Sequence, residues 1–180
     1  MVSKDSMRYL IVLFIAFFIS YLEAQTLSDY RLASGDVLSI VVFNEEDLSF
    51  DEVAISDAGT IIYPFLGEVT LGGLSIGEAS DFITAQLADG WLISPSVNIR
   101  IIRYRQSYIH GEVSEPGGYD YQPGLTLQQA VALAGGFTAR ASGSRFFIQS
   151  EESSSGTGVR ADLDSGVQPG DTIIIQESFF

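Results

Sequence analysis

The chain has 180 residues, a formal net charge of −14, one histidine and no cysteine. Without cysteine it forms no disulfide, zinc ribbon, iron–sulfur cluster or thiol nucleophile, and one histidine excludes sites that need several imidazoles. So acidic a chain lacks the basic surface that releases phosphate counterions, which argues against nucleic-acid binding. A hydrophobic content of 46% indicates a folded protein, and the length fits one large domain or two small ones.

The N-terminal segment has the pattern of an export signal. Lys4 and Arg8 precede an uncharged, apolar run over 9–22. This run is shorter than the roughly 20 residues that span a bilayer, and Ala24 is a small residue suited to cleavage. The sequence therefore predicts a signal peptide over 1–24 and a protein that works outside the cytoplasm, with an uncleaved anchor as the alternative.

Charge divides the rest of the chain into unequal parts. Residues 25–95 contain one arginine and twelve acids, whereas residues 96–147 contain five arginines and three acids. Residues 148–180 return to one arginine and six acids. This shift in composition marks a second module.

Four strands are predicted for the first module, over residues 29–103, because apolar, β-branched runs are typical of strands. Asp57 can close an Asx-type turn and Gly59 can take a positive φ, so the second and third strands are expected to form a hairpin. Pro64 falls near the end of the third strand, where a missing N–H is tolerated. The predicted strands are 37–43, 53–55, 60–65 and 96–104.

Each module contains one capping-box pattern, in which a hydroxyl covers a free backbone N–H and a Glu or Gln side chain reaches back. This pattern predicts one helix per module, and glycine is expected to end each of them. The pairs are Ser75 with Glu78 and Thr126 with Gln129, and the helix-ending residues are Gly90, Gly135 and Gly136.

The second module, over residues 105–177, alternates apolar runs with turn residues in the same way. Several strands around one helix indicate an α+β fold rather than alternating βαβ units. Both modules also have a Gly-Asp pair before an apolar strand, which is a weak internal repeat. The predicted features are strands at 108–113, 145–149 and 172–176, turns at 115–118 and 168–171, and a polar hairpin tip at 153–158.

These motifs, in this order, resemble those of bacterial polysaccharide export proteins. Residues 30–38, 57–61 and the helix that leads to Pro95 resemble the N-terminal export domain of that family. The second module resembles the soluble-ligand-binding β-grasp (SLBB) domain through 111–113, 116–119, 125–127, 134–136 and 169–173. The positions expected to serve as structural motif residues are Gly35, Asp36, Asp57, Gly59, Pro64, Gly67, Gly111, Pro116, Gly117, Gly135, Gly136, Gly170 and Asp171.

The resemblance implies a component of a polysaccharide export apparatus rather than an enzyme. It implies a homo-oligomeric ring at the periplasmic side of the outer membrane that passes capsular polysaccharide or exopolysaccharide across that membrane. Expected partners are the polysaccharide, an inner-membrane chain-length regulator and an outer-membrane component. The chain has no cysteine for lipidation, and its last predicted strand ends near Phe180. Both features argue against a membrane-spanning channel built by this chain alone and favour a ring that hands polymer to another component. The alternative is an extracytoplasmic ligand-binding or scaffolding module without a transport role.

No catalytic, cofactor or metal site is predicted. His110 lies in an apolar strand and is interpreted as a packed or edge residue. Carboxylate pairs such as Glu112 with Glu115 could hydrolyse glycosides, but acids are too abundant here for such a pair to be informative.

One cluster of residue types suits an anionic polymer. Arginine donates bidentate hydrogen bonds to carboxylates, and tyrosine offers a flat face to a sugar ring. The alternative is that the arginines pair with acids of the neighbouring module or subunit, and such head-to-tail contacts would close a ring. The predicted contact residues are Arg100, Arg103, Tyr104, Arg105 and Tyr108.

Overall fold

A computed structural model describes residues 30–151 and 158–178, in which strands and two α-helices surround two separate hydrophobic cores. The fold is α+β, as the sequence predicts. The predicted signal peptide at 1–24 lies outside the described residues, as does most of the predicted hairpin tip at 153–158. Neither helix in the described part of the chain is long and apolar enough to cross a membrane.

The first core is built from two small sheets and the longer helix. The elements are β1 (Val37–Val42), a 3-10 helix (Glu46–Leu48), β2 (Phe50–Ala54), β3 (Thr60–Tyr63), β4 (Gly67–Thr70), α1 (Ile76–Ala88) and β5 (Val97–Arg103). In the three-stranded sheet, β1 is central and pairs antiparallel with β2 and with β5, while β3 and β4 form a separate antiparallel pair. Leu38, Ile40 and Ile83 are completely buried where this sheet meets the helix.

The second core lies against one five-stranded sheet and a short helix. The elements are β6 (Ser107–Gly111), β7 (Gly117–Tyr119), α2 (Leu127–Leu133), β8 (Ala141–Gln149), β9 (Val159–Ala161) and β10 (Thr172–Glu177). The strand order is β7-β6-β10-β8-β9, in which β6 and β10 are parallel and the other neighbours are antiparallel. Leu127 of α2 and Ile173 of β10 are fully buried in this core.

Both predicted capping boxes are confirmed. The Ser75 hydroxyl accepts a hydrogen bond from the Glu78 N–H at 3.2 Å, and the Glu78 carboxylate accepts one from the Ser75 N–H at 2.7 Å. Thr126 and Gln129 make the same two bonds at the start of α2, at 3.4 and 3.0 Å. The bond from the Ser75 N–H is the main reason that the pKa of Glu78 lies below its ordinary value.

The predicted hairpin of 53–55 and 60–65 is wrong. The turn itself is present, since the Gly59 N–H donates to the Ser56 carbonyl at 2.8 Å. The strands on its two sides, however, belong to different sheets, because β2 pairs with β1 and β3 pairs with β4. Ile61 and Tyr63 are buried in the first core, and the Tyr63 hydroxyl donates to the Leu48 carbonyl at 2.7 Å. Packing of β3 side chains in the first core therefore accompanies the placement of β3 in a different sheet from β2.

The sequence predicts Gly117 and Gly118 in a turn, and this prediction is wrong. Both lie in β7, where they pair with Ile109 and Tyr108 of β6. The chain bends before them, at 114–115. Glycine has a low strand propensity, so β7 depends on its pairing with β6 rather than on local sequence preference.

Candidate functional site

Arg105 lies at the centre of the junction between the modules, in the three-residue link from β5 to β6. Its side chain is only 13% exposed. The guanidinium donates to the Tyr30 hydroxyl at 2.7 Å and to the Glu151 carboxylate at 2.8 Å, and it lies 3.6 Å from the Asp36 carboxylate. Tyr30, Asp36, Arg105 and Glu151 form what we call the junction hub, and this hub links the first module to the end of β8.

Asp36 is the most enclosed member of the junction hub, with no exposed surface. Its carboxylate accepts hydrogen bonds from the backbone N–H groups of Ala33 and Arg105, both at 2.9 Å, and from the Tyr30 hydroxyl at 2.7 Å. Burial, together with the bond to Asp36, raises the pKa of Tyr30 far above its ordinary value. Tyr30 therefore remains a neutral donor, and the buried carboxylate has several donors around it, as a buried charge requires.

Tyr104 extends the junction with aromatic contacts to both modules. Its ring meets that of Tyr30 edge-on at 5.0 Å and that of Tyr121 edge-on at 5.2 Å. Burial raises the pKa of Tyr104 as well. Its ring therefore contacts a tyrosine of each module.

The two Gly-Asp pairs have the same geometry. Gly35 and Gly170 have φ values of +86° and +85°, and each following aspartate accepts the backbone N–H three residues before it, at 2.9 and 2.7 Å. A Cβ on Gly35 would lie 3.4 Å from the Arg105 side chain, and one on Gly170 would lie 2.7 Å from it. Both turns therefore approach the same arginine.

The aspartates of the two turns differ in the donors and cations that surround their carboxylates. Asp36 has the Arg105 guanidinium and three other donors, whereas the one hydrogen bond to the Asp171 carboxylate comes from a backbone N–H, among the described residues. Burial is the main cause that raises the pKa of Asp171 above its ordinary 3.8, and Glu151 acts in the same direction. The backbone bond and the charge of Arg105 lower that pKa without cancelling the rise.

Asp171→Asn is accordingly expected to gain stability relative to the wild type as the pH rises. A carboxyl with a raised folded-state pKa stabilises the fold fully below pH 3.8, and this stability is lost as the pH rises through the folded pKa. The stability of the wild type relative to Asp171→Asn should therefore fall over that range, while asparagine still accepts the backbone bond. Urea unfolding between about pH 3 and about pH 7 measures this difference. A relative stability that rises with pH would contradict the argument.

A groove of about 390 Å³ opens beside the junction hub. Tyr108, which is 52% exposed, lies in its wall with Arg105. The groove thus combines an arginine, a tyrosine and a carboxylate, which are groups that can hydrogen-bond to sugar hydroxyls. Its lining consists of Ser34, Gly35, Arg105, Gln106, Tyr108, Glu151 and Gly170.

Arg100 and Arg103 lie elsewhere, on β5. Both are exposed, and no carboxylate of the described residues is within ion-pair distance of either. Arg100 is opposite Ser39 of β1, with 3.5 Å between its guanidinium and the Ser39 hydroxyl. The five predicted contact residues therefore divide into two groups. The junction group is Tyr104, Arg105 and Tyr108, and the outer group on β5 is Arg100 and Arg103.

The other residues singled out in the sequence take separate places. His110 is exposed on β6. The Glu112 carboxylate forms an ion pair with Arg140 at 3.0 Å and accepts a hydrogen bond from Thr138. Glu112 is thus paired to a cation.

The fold and the junction define a protein of two small α+β modules, tied together by a largely buried arginine. Residues 24–102 match the polysaccharide biosynthesis/export protein family, and residues 107–157 match the SLBB domain. The chain therefore carries a domain of the polysaccharide biosynthesis/export family, followed by an SLBB domain. The predicted family and fold class are confirmed.

Two relatives illustrate the similarity. The exopolysaccharide production protein ExoF of Rhizobium meliloti (strain 1021) is 32% identical over 97 residues, which cover 53% of this chain and 23% of ExoF. The EPS I polysaccharide export outer membrane protein EpsA of Ralstonia solanacearum is 32% identical over 133 residues, which cover 59% of this chain and 35% of EpsA. The chain thus spans about a third or less of the length of these relatives. The family is one of transport proteins, in agreement with the prediction that this chain is not an enzyme.

Proposed function

We propose that this protein is an extracytoplasmic subunit of a polysaccharide export apparatus. Several copies form a ring at the periplasmic face of the outer membrane, and the ring passes capsular polysaccharide or exopolysaccharide across that membrane. An inner-membrane chain-length regulator and an outer-membrane component are the partners that such a role requires. The family match and the likeness to EpsA, an outer-membrane export protein by its name, support this proposal.

The junction hub is the structural feature that best supports the proposal. A ring closes only if every subunit presents its two contact surfaces at the same angle. Arg105 binds Tyr30 of the first module and Glu151 of the second, and thereby ties the two modules together. An export domain and an SLBB domain joined in this way suit a subunit that must repeat around a ring.

The outer group on β5 and the junction group have different proposed roles. Arg100 and Arg103 are exposed, and no carboxylate of the described residues pairs with them, so we assign them to contact with an anionic polymer or a neighbouring subunit. Tyr108 is the exposed aromatic residue in the groove beside the junction hub. Arg105 and Tyr104 are engaged within the chain, so their proposed role is to hold the modules together.

A deletion strain tests the proposal. Cells without the gene are expected to make polymer but to lose it from the surface, measured by staining surface polysaccharide beside an assay of total polysaccharide. Restoring the chain without residues 1–24 should fail, because the product would stay in the cytoplasm. Normal surface polymer in the deletion strain, with no second copy of the gene, would overturn the proposal.

The ligand-binding alternative is favoured by one feature of the second module. A cleft of about 460 Å³ lies beside α2. Its lining mixes amide side chains with exposed apolar surface, including Leu133, and such a mixture suits a small soluble ligand. The lining residues are Gln122, Pro123, Gly124, Leu125, Gln129, Ala132 and Leu133.

A further inference from the structure

The three-stranded sheet of the first module has two open edges. β2 and β5 are its outer strands, with five and seven residues. Among the described residues one group caps an outer backbone position, the Ser80 hydroxyl, which donates to the Val97 carbonyl at 2.7 Å. No other described residue hydrogen-bonds to the outer backbone groups of β5 from residue 98 onward, or to those of β2. Open strand edges of this kind are templates for pairing with another chain.

The two edges carry opposite charge. Asp51 and Glu52 are exposed on β2, whereas Arg100 and Arg103 are exposed on β5. β1 lies between the two strands, so these groups do not neutralise one another across the sheet, and no described residue forms an ion pair with any of the four. Contact between two β2 edges or two β5 edges would bring like charges together, while β2 against β5 pairs opposite charges.

From these edges we infer that β5 of one copy pairs with β2 of the next copy. β2 and β5 are both antiparallel to β1 and therefore run in the same direction, so the new pair is parallel when successive copies are related by rotation about an axis along the strands. Such a contact is head-to-tail and closes into a ring when the rotation is complete. The inference deepens the proposed function by naming the surfaces that join the ring.

Apolar surface supports the same pairing. Ile102 on β5 is 44% exposed, and Ala54 on β2 is also exposed. Within the sheet, Ala54 and Arg103 lie in one row on either side of Val37. An in-line repeat of the sheet therefore brings the Ile102 region of one copy beside the Ala54 region of the next and covers both.

Cysteine crosslinking tests the contact directly, because the chain has no cysteine of its own. The full chain is expressed with Ala54→Cys and Ile102→Cys together and treated in intact cells with a short bismaleimide, which tolerates a shift of one residue in register. A ladder of covalent oligomers is expected, at least tenfold above a matched control with exposed cysteines on the second module, Gln128→Cys with Ser144→Cys. Each single variant should remain largely uncrosslinked. Strong homodimers from a single variant, or no ladder from the pair, would overturn the inference.

Exchanging the charges supplies a second test that does not depend on register. One variant carries Asp51→Arg with Glu52→Arg and so has two basic edges; the other carries Arg100→Glu with Arg103→Glu and has two acidic edges. Each alone should be monomeric in sedimentation at low salt, and an equal mixture should assemble, because the two variants can then alternate. Assembly of either variant alone to the extent of the wild type, or a mixture that stays monomeric, would refute edge pairing.

Different results would overturn the edge pairing and the proposed export function. A chain that crosslinks as expected in a deletion background with normal surface polymer retains the edge pairing and loses the export function. A chain that is needed for surface polymer but assembles without the Ala54–Ile102 crosslink retains the export function and loses the edge pairing.

Discussion

Replacing Gly111 with alanine is expected to lower the free energy of unfolding by about 3–4 kcal/mol. Gly111 has a φ of +94°, which residues with a side chain rarely adopt, and it ends β6 opposite Ile175 of β10. A Cβ at this position would lie 2.0 Å from the Ile175 carbonyl oxygen. Because that oxygen belongs to the backbone of a central strand, no change of rotamer relieves the clash, and the β6–β10 pair must shift.

Gly67→Ala is the matched control. Gly67 also has a positive φ, +75°, but a Cβ there would meet nothing within 4 Å. Its replacement should therefore cost only the conformational term, about 1 kcal/mol. Urea unfolding of both variants measures the difference. Equal losses would show that the contact with Ile175 contributes nothing.

Arg105→Gln is expected to cost about 3 kcal/mol of stability and to weaken the contact between the modules. The change leaves the fully buried Asp36 carboxylate without its cation and removes the guanidinium bonds to Tyr30 and Glu151. The backbone donors to Asp36 persist, so the loss should fall short of that for an isolated buried charge. Proteolysis within residues 104–106 should become faster, as the link is no longer held.

Arg103→Gln is the control for the same substitution two residues away. Arg103 is exposed and has no carboxylate partner among the described residues, so its replacement should change the free energy of unfolding by no more than about 0.5 kcal/mol. If Arg103→Gln destabilised the protein as much as Arg105→Gln, the junction hub would have no special role in stability.

Features set by neighbouring residues could be predicted from the sequence. Both capping boxes involve groups three residues apart, so the pattern and the hydrogen bonds coincide. The positive φ of Gly59 and of Gly135 likewise follows from the local need for a residue without a Cβ. The same local requirement predicts the turn at 56–59, but it does not predict which sheets the flanking strands join.

Features that join distant residues could not be predicted in this way. Closeness in sequence predicts one cluster of Arg100, Arg103 and Arg105. Their separation depends on partners far along the chain: Asp36 is 69 residues from Arg105, and Glu151 is 46 residues from it. The Gly-Asp repeat and the family resemblance over 30–38 both single out Asp36, but they indicate a turn without indicating what the carboxylate binds.

The Phe65 backbone shows another limit of local patterns. This bulky residue has a φ of +64° in the turn between β3 and β4, and no turn rule places a phenylalanine there. Its ring stacks on Trp91 at 4.7 Å, after the end of α1. A contact with a residue 26 positions away thus helps to hold a conformation that its own sequence disfavours.

The parallel pairing of β6 with β10 has a mechanical consequence. Tyr108 to Gly111 lie beside Thr172 to Ile175 in register, with both strands running in the same direction. A pull that separates residue 107 from residue 177 acts along the strands in opposite senses and loads all the hydrogen bonds between them at once, in shear. Antiparallel strands joined by a turn would instead open one bond at a time. The second module is therefore built to carry tension between the link to the first module and the end of β10.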